Sequence, residues 1–280
     1  MWEYAHNDRG DRALADRLLA ERRERATRIN VICAEYSAAV APGDTPAPEL
    51  AERLRTMFGI PEGHPRERIL SFALDAFRER GPRKHGSPFA AHSLEIHEKA
   101  RALGLDDPDL LATVLLHDVV EDTSRTNDDI ATLDMELGTS ELPYIQVMTE
   151  ERSEDTDRDA NLVRFVQKLA AAPGVAPDRQ WVIHATEVLD RIDDLSNLEY
   201  LTDALDDPAR RDGALASLAK KLGKCRYTVD RVAGNSHDPR VADLRRAFSA
   251  VADLVSETYG VSADAVAQAY DTYVGKEQGA

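Results

Sequence analysis

Apolar residues in this chain recur three and four positions apart, broken by Pro- and Gly-containing segments, and nowhere alternate with polar residues for the length of a strand. Each segment can bury one stripe only by packing against another helix, so the expected fold class is all-α. A charged share of 31% against an aromatic share of 6% supports the same choice, because Ala, Leu, Arg and Glu favour helices over sheets.

Residues 11–40 carry Leu14, Leu18, Leu19, Ile29, Ile32 and Tyr36 among Arg and Glu, and read as one amphipathic helix ahead of a Pro/Gly linker at 41–48. Helices are expected next over 48–58, over 65–80 with Ile69, Leu70, Phe72, Ala73 and Phe77 inward, and around His92, Leu94, Ile96 and Ala100. Gly81-Pro82 stops the 65–80 helix, and residues 83–88 read as a loop. Asp106 to Pro108 then starts a helix over 110–120. Further helical runs cover 127–136, 161–171, 181–205, 212–232 and 239–259, followed by a short tail helix. The acidic stretch 150–159 matches no calcium-loop spacing and reads as a mobile, solvated loop.

Fifty-one acidic residues against 35 basic ones leave a formal net charge of -16, a field that repels nucleic-acid phosphates, so no nucleic-acid partner is expected. Cys33 and Cys225 stand far apart at no metal-binding spacing and read as ordinary thiols. The first thirty residues lack the apolar stretch of a signal peptide, and the run 110–116, interrupted by Thr113, is too short to span a bilayer. A cytoplasmic protein with no membrane partner is expected.

The run His117-Asp118-Val119-Val120-Glu121-Asp122 ends the most apolar of these segments. On a continuous helix His117 would lie one turn below Glu121, and Asp118 one turn below Asp122. One imidazole and three carboxyls on so apolar a helix are costly to bury unless they bind a cation or one another. Further ligands must come from elsewhere, with His92 on the preceding helix and the aspartates of the 189–198 segment as candidates. Nitrogen and carboxylate donors without thiolate suit Mn²⁺, Mg²⁺ or Fe, and also Zn²⁺. Arg78, Arg80, Arg83, Lys84 and His85 form a basic island placed for anion binding just before His92. His97 stands five residues after His92, off its face, and with His6, His64, His85, His184 and His237 reads as structural or exposed.

Three ordered motifs carry a resemblance: Arg83-x-x-Gly86-x-Pro88-Phe89-x-x-His92, then Leu115-Leu116-His117-Asp118-Val119-Val120-Glu121-Asp122-Thr123, then an Asp-rich helix ending in Asn197-Leu198. Over about residues 65–205 this resembles the hydrolase domain of the RelA/SpoT alarmone family, within the HD phosphohydrolases. The resemblance implies an HD-domain helical bundle over 61–205, with an N-terminal helical extension over 1–60 and C-terminal helices over 206–280 packing on the core. It also implies Mn²⁺-dependent removal of the 3′-pyrophosphate from guanosine tetra- or pentaphosphate.

By the same resemblance His92, His117 and Asp118 would be metal ligands, and Glu121 and Asp122 would position or deprotonate the attacking water. Arg83, Lys84 and Asn197 would contact the nucleotide. The family's Asp-Arg-x-x-Asn-Leu pattern fits in two registers. Starting at Asp190 it keeps Arg191 but puts Asp194 in place of Asn. Starting at Asp193 it keeps Asn197, Leu198 and Leu201 but loses the basic residue. Either aspartate can be the last ligand, and Asp193 keeps more of the pattern. Phe89 stands where the family has Tyr, and Ser93 where it has Pro. The roughly 75 residues after Leu205 are too few for the family's synthetase domain. Two other readings stand beside this one: the same chemistry on another nucleotide or phosphorylated metabolite such as NADPH, and a nonhydrolytic nucleotide-binding sensor.

Overall fold

Every regular element of the computed structural model, which describes residues 8–80, 87–150 and 157–279, is a helix. In chain order these are α1 (Asp8–Ala20), α2 (Arg22–Ala39), α3 (Pro48–Phe58), α4 (Arg66–Arg78), α5 (Ala91–Ala102), α6 (Pro108–Leu116), α7 (Val119–Asp122) and α8 (Asn127–Leu137). There follow α9 (Leu142–Met148), α10 (Arg158–Ala171), α11 (Gln180–Ser196), α12 (Glu199–Asp206), α13 (Arg211–Gly234), α14 (Pro239–Tyr259) and α15 (Ala263–Gln278). The all-α class expected from periodicity is the class observed. Among the described residues no helix is long and apolar enough to cross a membrane.

Two compact units share the chain. A central unit comprises Arg23–Glu151 and Ala171–Thr186, and a terminal unit comprises Met1–Arg22, Arg152–Ala170 and Glu187–Ala280. In the central unit, α3 starts with Pro48 in its first turn, buries Leu50, Leu54 and Phe58 at four-residue spacing, and stops at Gly59, whose φ of 58° is left-handed. On α4, Ile69, Leu70, Phe72, Ala73 and Phe77 are buried as their spacing predicts. These join α2 residues Ile29, Ile32, Cys33 and Tyr36, and α6 residues Ala112, Leu115 and Leu116, in one core. Truncating any such buried leucine to alanine costs about 2–5 kcal/mol. Between α6 and α9, Thr113 donates to the buried Glu141 at 3.3 Å. Burial first, then the charges of Asp109 and Asp134, push the Glu141 carboxyl up to about 9, so it stays uncharged near neutrality.

In the terminal unit, α13 packs on α12, α14 and α15, and α1 packs on α14. A side chain at Gly223 of α13 would overlap Ala269 of α15, so the close approach of those helices requires glycine there. One turn on, Tyr227 stacks against Tyr273 with ring centroids 5.5 Å apart. Cys225 and, in the central unit, Cys33 are buried, and burial before all else pushes both thiols up to about 12.

Four expected helices differ from those observed. The 11–40 helix is two segments, with a turn at Glu21 between α1 and α2. The 181–205 run breaks at 197–198, where Asn197 takes a hydrogen bond from Arg22 rather than continuing the helix. The 110–120 helix breaks at His117–Asp118, with consequences described below. The tail helix, α15, is 16 residues long rather than short, and α9 lies where no helix was expected. It forms because the Asp134 carboxylate accepts the N–H groups of Glu141 and Leu142 at 2.9 and 2.8 Å, capping a segment with Pro143 in its first turn.

Candidate metal centre

All seven residues from Leu110 to Leu116 on α6 are buried. Its start is set by Asp107, whose carboxylate accepts the N–H groups of Asp109 and Leu110 at 3.1 and 3.3 Å, with Pro108 following. Arg179 holds that cap by pairing with Asp107 at 2.9 Å. A helix enclosed on every side delivers His117 to the interior, where it is 3% exposed.

At this point the backbone leaves the helix. His117 and Asp118 are turn residues, Asp118 sits at φ −93°, ψ −4°, and helical geometry resumes as α7. The expected continuous helix is corrected here, and the break has a chemical result. Consecutive helical side chains diverge by about 100° and cannot converge on one point. Released from that constraint, the Asp118 carboxylate lies beside its neighbour, with Oδ1 3.2 Å from Nε2 of His117. The Asp118 carbonyl still accepts the Asp122 N–H at 2.8 Å, so the one-turn offset between those two aspartates survives.

His117 Nδ1 lies 2.8 Å from the Val114 carbonyl oxygen. A carbonyl only accepts, so Nδ1 carries the proton and Nε2 presents a lone pair. That Nε2 is buried and makes no hydrogen bond; the group facing it is the Asp118 carboxylate. The other oxygen, Oδ2, is 3.7 Å from Nε2 of His92, the second residue of α5. The two imidazole centroids are 5.5 Å apart. Electron pairs aimed at one another are unfavourable unless a proton or a metal ion stands between them. Two ligand atoms each about 2.1 Å from an ion, at 90–110°, stand roughly 3.0–3.4 Å apart. The His117–Asp118 separation falls inside that range, and the His92–Asp118 separation just outside it.

Glu121 and Asp122 are half-buried on α7. Glu121 Oε2 accepts the Glu150 N–H at 3.4 Å. Beyond α7, Ser124 donates to Glu79 at 2.5 Å, and Arg125 pairs with Glu79 at 3.8 Å while lying 5.3 Å over the Phe72 ring. Val114, Glu150, Glu79 and Arg125 were not marked by sequence motifs. The first two act through backbone atoms, which no residue type reveals, and the other two are ordinary surface charges until the fold pairs them.

Of the expected nucleotide contacts, Arg83 and Lys84 lie outside the described residues. Phe89 stacks on Phe77 at 6.2 Å, with the Arg80 guanidinium 5.2 Å from its ring. Arg78, from the same basic island, instead pairs with Asp75 at 3.5 Å and lies over Tyr36. Most of the expected acidic loop, residues 151–156, is also outside the described residues. Of its last members, Asp157 pairs with Lys276, and Asp159 with Lys220 at 3.4 Å.

Asp190, Asp193 and Asn197 belong to the terminal unit. Asp190 and Asp193 are buried on α11. Arg191 between them pairs with Asp190, with Glu187 at 2.9 Å and with Asp194 at 2.7 Å, and Lys221 also reaches Asp194 at 3.1 Å. Burial opposes the Arg191 charge, but those carboxylates outweigh it and hold its pKa well above the ordinary value. Asn197 Oδ1 accepts from Arg22 at 2.7 Å. Among the remaining histidines, His237 is exposed, while His97 and His184 are buried. Compared with family models, with curated proteins and with solved structures, the chain matches none, so its chemistry has to be read from this constellation of side chains.

Proposed function

We propose that the protein is a divalent-cation-dependent phosphohydrolase of the HD type acting on a nucleotide, with guanosine 3′-pyrophosphates as the first substrates to test. The observation that carries the reading is the His117 imidazole, whose proton is held on Nδ1 by Val114 while its buried Nε2 faces the Asp118 carboxylate at 3.2 Å. In this reading His92, His117 and Asp118 would hold the ion. The resemblance leaves the last ligand open between Asp190 and Asp193, of which Asp193 keeps more of the family pattern. The donor set contains no thiolate and suits a hard or borderline ion, Mn²⁺ first. Such an ion supplies Lewis acidity toward phosphate oxygen and toward water.

The chain's own groups do the rest. Val114 keeps His117 in the tautomer that presents Nε2. Glu121 or Asp122 takes the proton of the attacking water, a role open to half-buried carboxylates one turn past the ligands. Arg83 and Lys84 offset the charge of the pyrophosphate. Water adds at phosphorus, the bond to the ribose 3′ oxygen breaks, and a proton passes to that oxygen as pyrophosphate leaves.

Metal analysis combined with phosphate and pyrophosphate release from a nucleotide panel tests this. Wild type is expected to retain a stoichiometric divalent ion and to turn over at least one nucleotide, and Asp118→Ala to lose both. Wild type that holds metal yet releases no more than Asp118→Ala from every nucleotide overturns the enzyme reading. A second reading keeps the chemistry and changes the substrate: Phe89, stacked on Phe77, offers no hydroxyl to a guanosine. NADPH and other phosphorylated metabolites therefore belong in the panel.

A further inference from the structure

We propose that the central unit carries a second site of opposite charge, a cluster of Arg66, His97 and Arg101 that binds a phosphate group. Arg66 opens α4, and His97 and Arg101 lie one turn apart on α5. Arg66 is 7% exposed, and its Nε and Nη1 are buried without a hydrogen-bond partner. His97 is 0% exposed, with neither ring nitrogen partnered, and its ring meets Phe58 edge-on at 5.6 Å.

Arg101 is the most exposed of the three, its side chain 33% accessible. Its Nη1 donates to the Met57 carbonyl at 3.4 Å, and its Nε is 3.8 Å from Asp106, whose side chain is mostly exposed. Gly59 completes the cradle: a side chain there would overlap the Arg101 guanidinium, which thus rests on bare backbone. Two guanidiniums and an imidazole act on one another here, with the solvent-facing carboxylate of Asp106 beside them. Burial first, then the charges of Arg66 and Arg101, hold the His97 imidazole down to about 3. Burial, then Arg101, lowers Arg66 as well.

Buried donors with no acceptor are strongly unfavourable, and a guanidinium presents its N–H groups as a fork matched to two oxygens of one phosphate. An oxyanion accepting from Arg66 Nε and Nη1 meets both unmet donors and offsets the repulsion between Arg66 and Arg101. The cluster is distinct from the metal centre. His97 follows His92 by five residues, roughly 140° around α5 and about 7.5 Å along it. The proposal does not depend on the metal-centre reading.

Isothermal titration at constant ionic strength tests it, with inorganic phosphate and ribose 5-phosphate as probes, chloride as the control, and wild type, Asp118→Ala and Arg66→Met as proteins. Saturable phosphate binding is expected in wild type and Asp118→Ala, and binding weaker by on the order of tenfold or more in Arg66→Met. Should Arg66→Met fail to fold, Arg101→Met takes its place with the same expectation. Ribose 5-phosphate binding as well as the free ion assigns the cluster to phosphate monoesters, and exclusion of it assigns the cluster to inorganic phosphate. Heats no larger than those of chloride, equal affinity in the arginine variant, or loss of binding in Asp118→Ala each overturn the proposal.

Discussion

His117 and His97 are both shut away from solvent in the central unit, 3% and 0% exposed, yet their surroundings have opposite electrostatic character. His117 has one nitrogen fixed by the Val114 carbonyl and the other facing a carboxylate, so it stands in an acceptor-rich place. His97 has neither nitrogen partnered and feels two guanidiniums, so it stands in a donor-rich place. α5 contributes to both, His92 near its start and His97 with Arg101 toward its end. Burial of an imidazole therefore says little about its role. What each nitrogen faces decides it.

Exchanging the two residues' fates gives the largest expected effect. On the phosphohydrolase reading proposed above, His117→Ala should strip the divalent ion and lower kcat/KM by on the order of a thousandfold, since Lewis-acid stabilisation of a phosphoryl transition state is worth several kcal/mol. His97→Phe, which keeps a ring against Phe58, should retain the ion. Metal analysis of both variants decides the matter: loss of metal from His97→Phe, or its retention in His117→Ala, abolishes the contrast.

The two places were not equally legible in the sequence. His117-Asp118 followed by Glu121-Asp122, with His92 upstream, stood out because metal chemistry restricts residue types and their order. What stayed hidden was the geometry. Hydrophobic spacing runs without interruption from Leu116 into Val119, so nothing in the pattern marks the bridge-region backbone of Asp118 that lets its carboxylate meet His117. The break at 197–198 was hidden as well, and Asn197 there accepts a side-chain hydrogen bond from Arg22, 175 residues away.

The basic cluster was hidden more deeply. His97 is off the His92 face, as its spacing requires, but spacing could not show that Arg66, the first residue of α4, acts on it electrostatically. Helices with strong local signals were read almost to the residue. Pro48 and Gly59 delimit α3, and Asp238, Pro239 and Gly260 delimit α14. Seven-residue α9 was missed because its start depends on Asp134, a residue of another helix.

A change of pH sharpens the contrast with a smaller effect. The folded-state pKa of His97, about 3, lies below the ordinary histidine value of 6.5. Above that ordinary value the ring is neutral in both folded and unfolded chains, and its full contribution to stability is present. As pH falls from about 6.5 toward 3, only the unfolded chain takes up the proton. Stability then declines by on the order of 1.4 kcal/mol per pH unit from this residue. Denaturant unfolding across that window should show a shallower acid loss in His97→Phe than in wild type. Equal slopes would mean that His97 already accepts a proton in the folded protein, as a ring facing an anion does, and the donor-rich description would have to be withdrawn.

The smallest effect concerns the cradle on which Arg101 rests. Gly59 has φ 58°, so Gly59→Ala places a Cβ in a left-handed conformation, at about 1–2 kcal/mol. The added methyl would also overlap the Arg101 guanidinium. Because that overlap involves the flexible end of a side chain, it is relieved by moving Arg101 away from Met57 and out of the cluster, with the core left undisturbed. A double-mutant cycle between Gly59→Ala and Arg101→Met separates the two contributions by equilibrium unfolding. If Arg101 is held against bare backbone by the contacts described, the cycle should show coupling of about 0.5 kcal/mol or more. Strict additivity would mean that Arg101 occupies its place incidentally. The donor-rich end of α5 would then shrink to Arg66 and His97, and His97 would differ from other buried histidines only in having Arg66 as a neighbour.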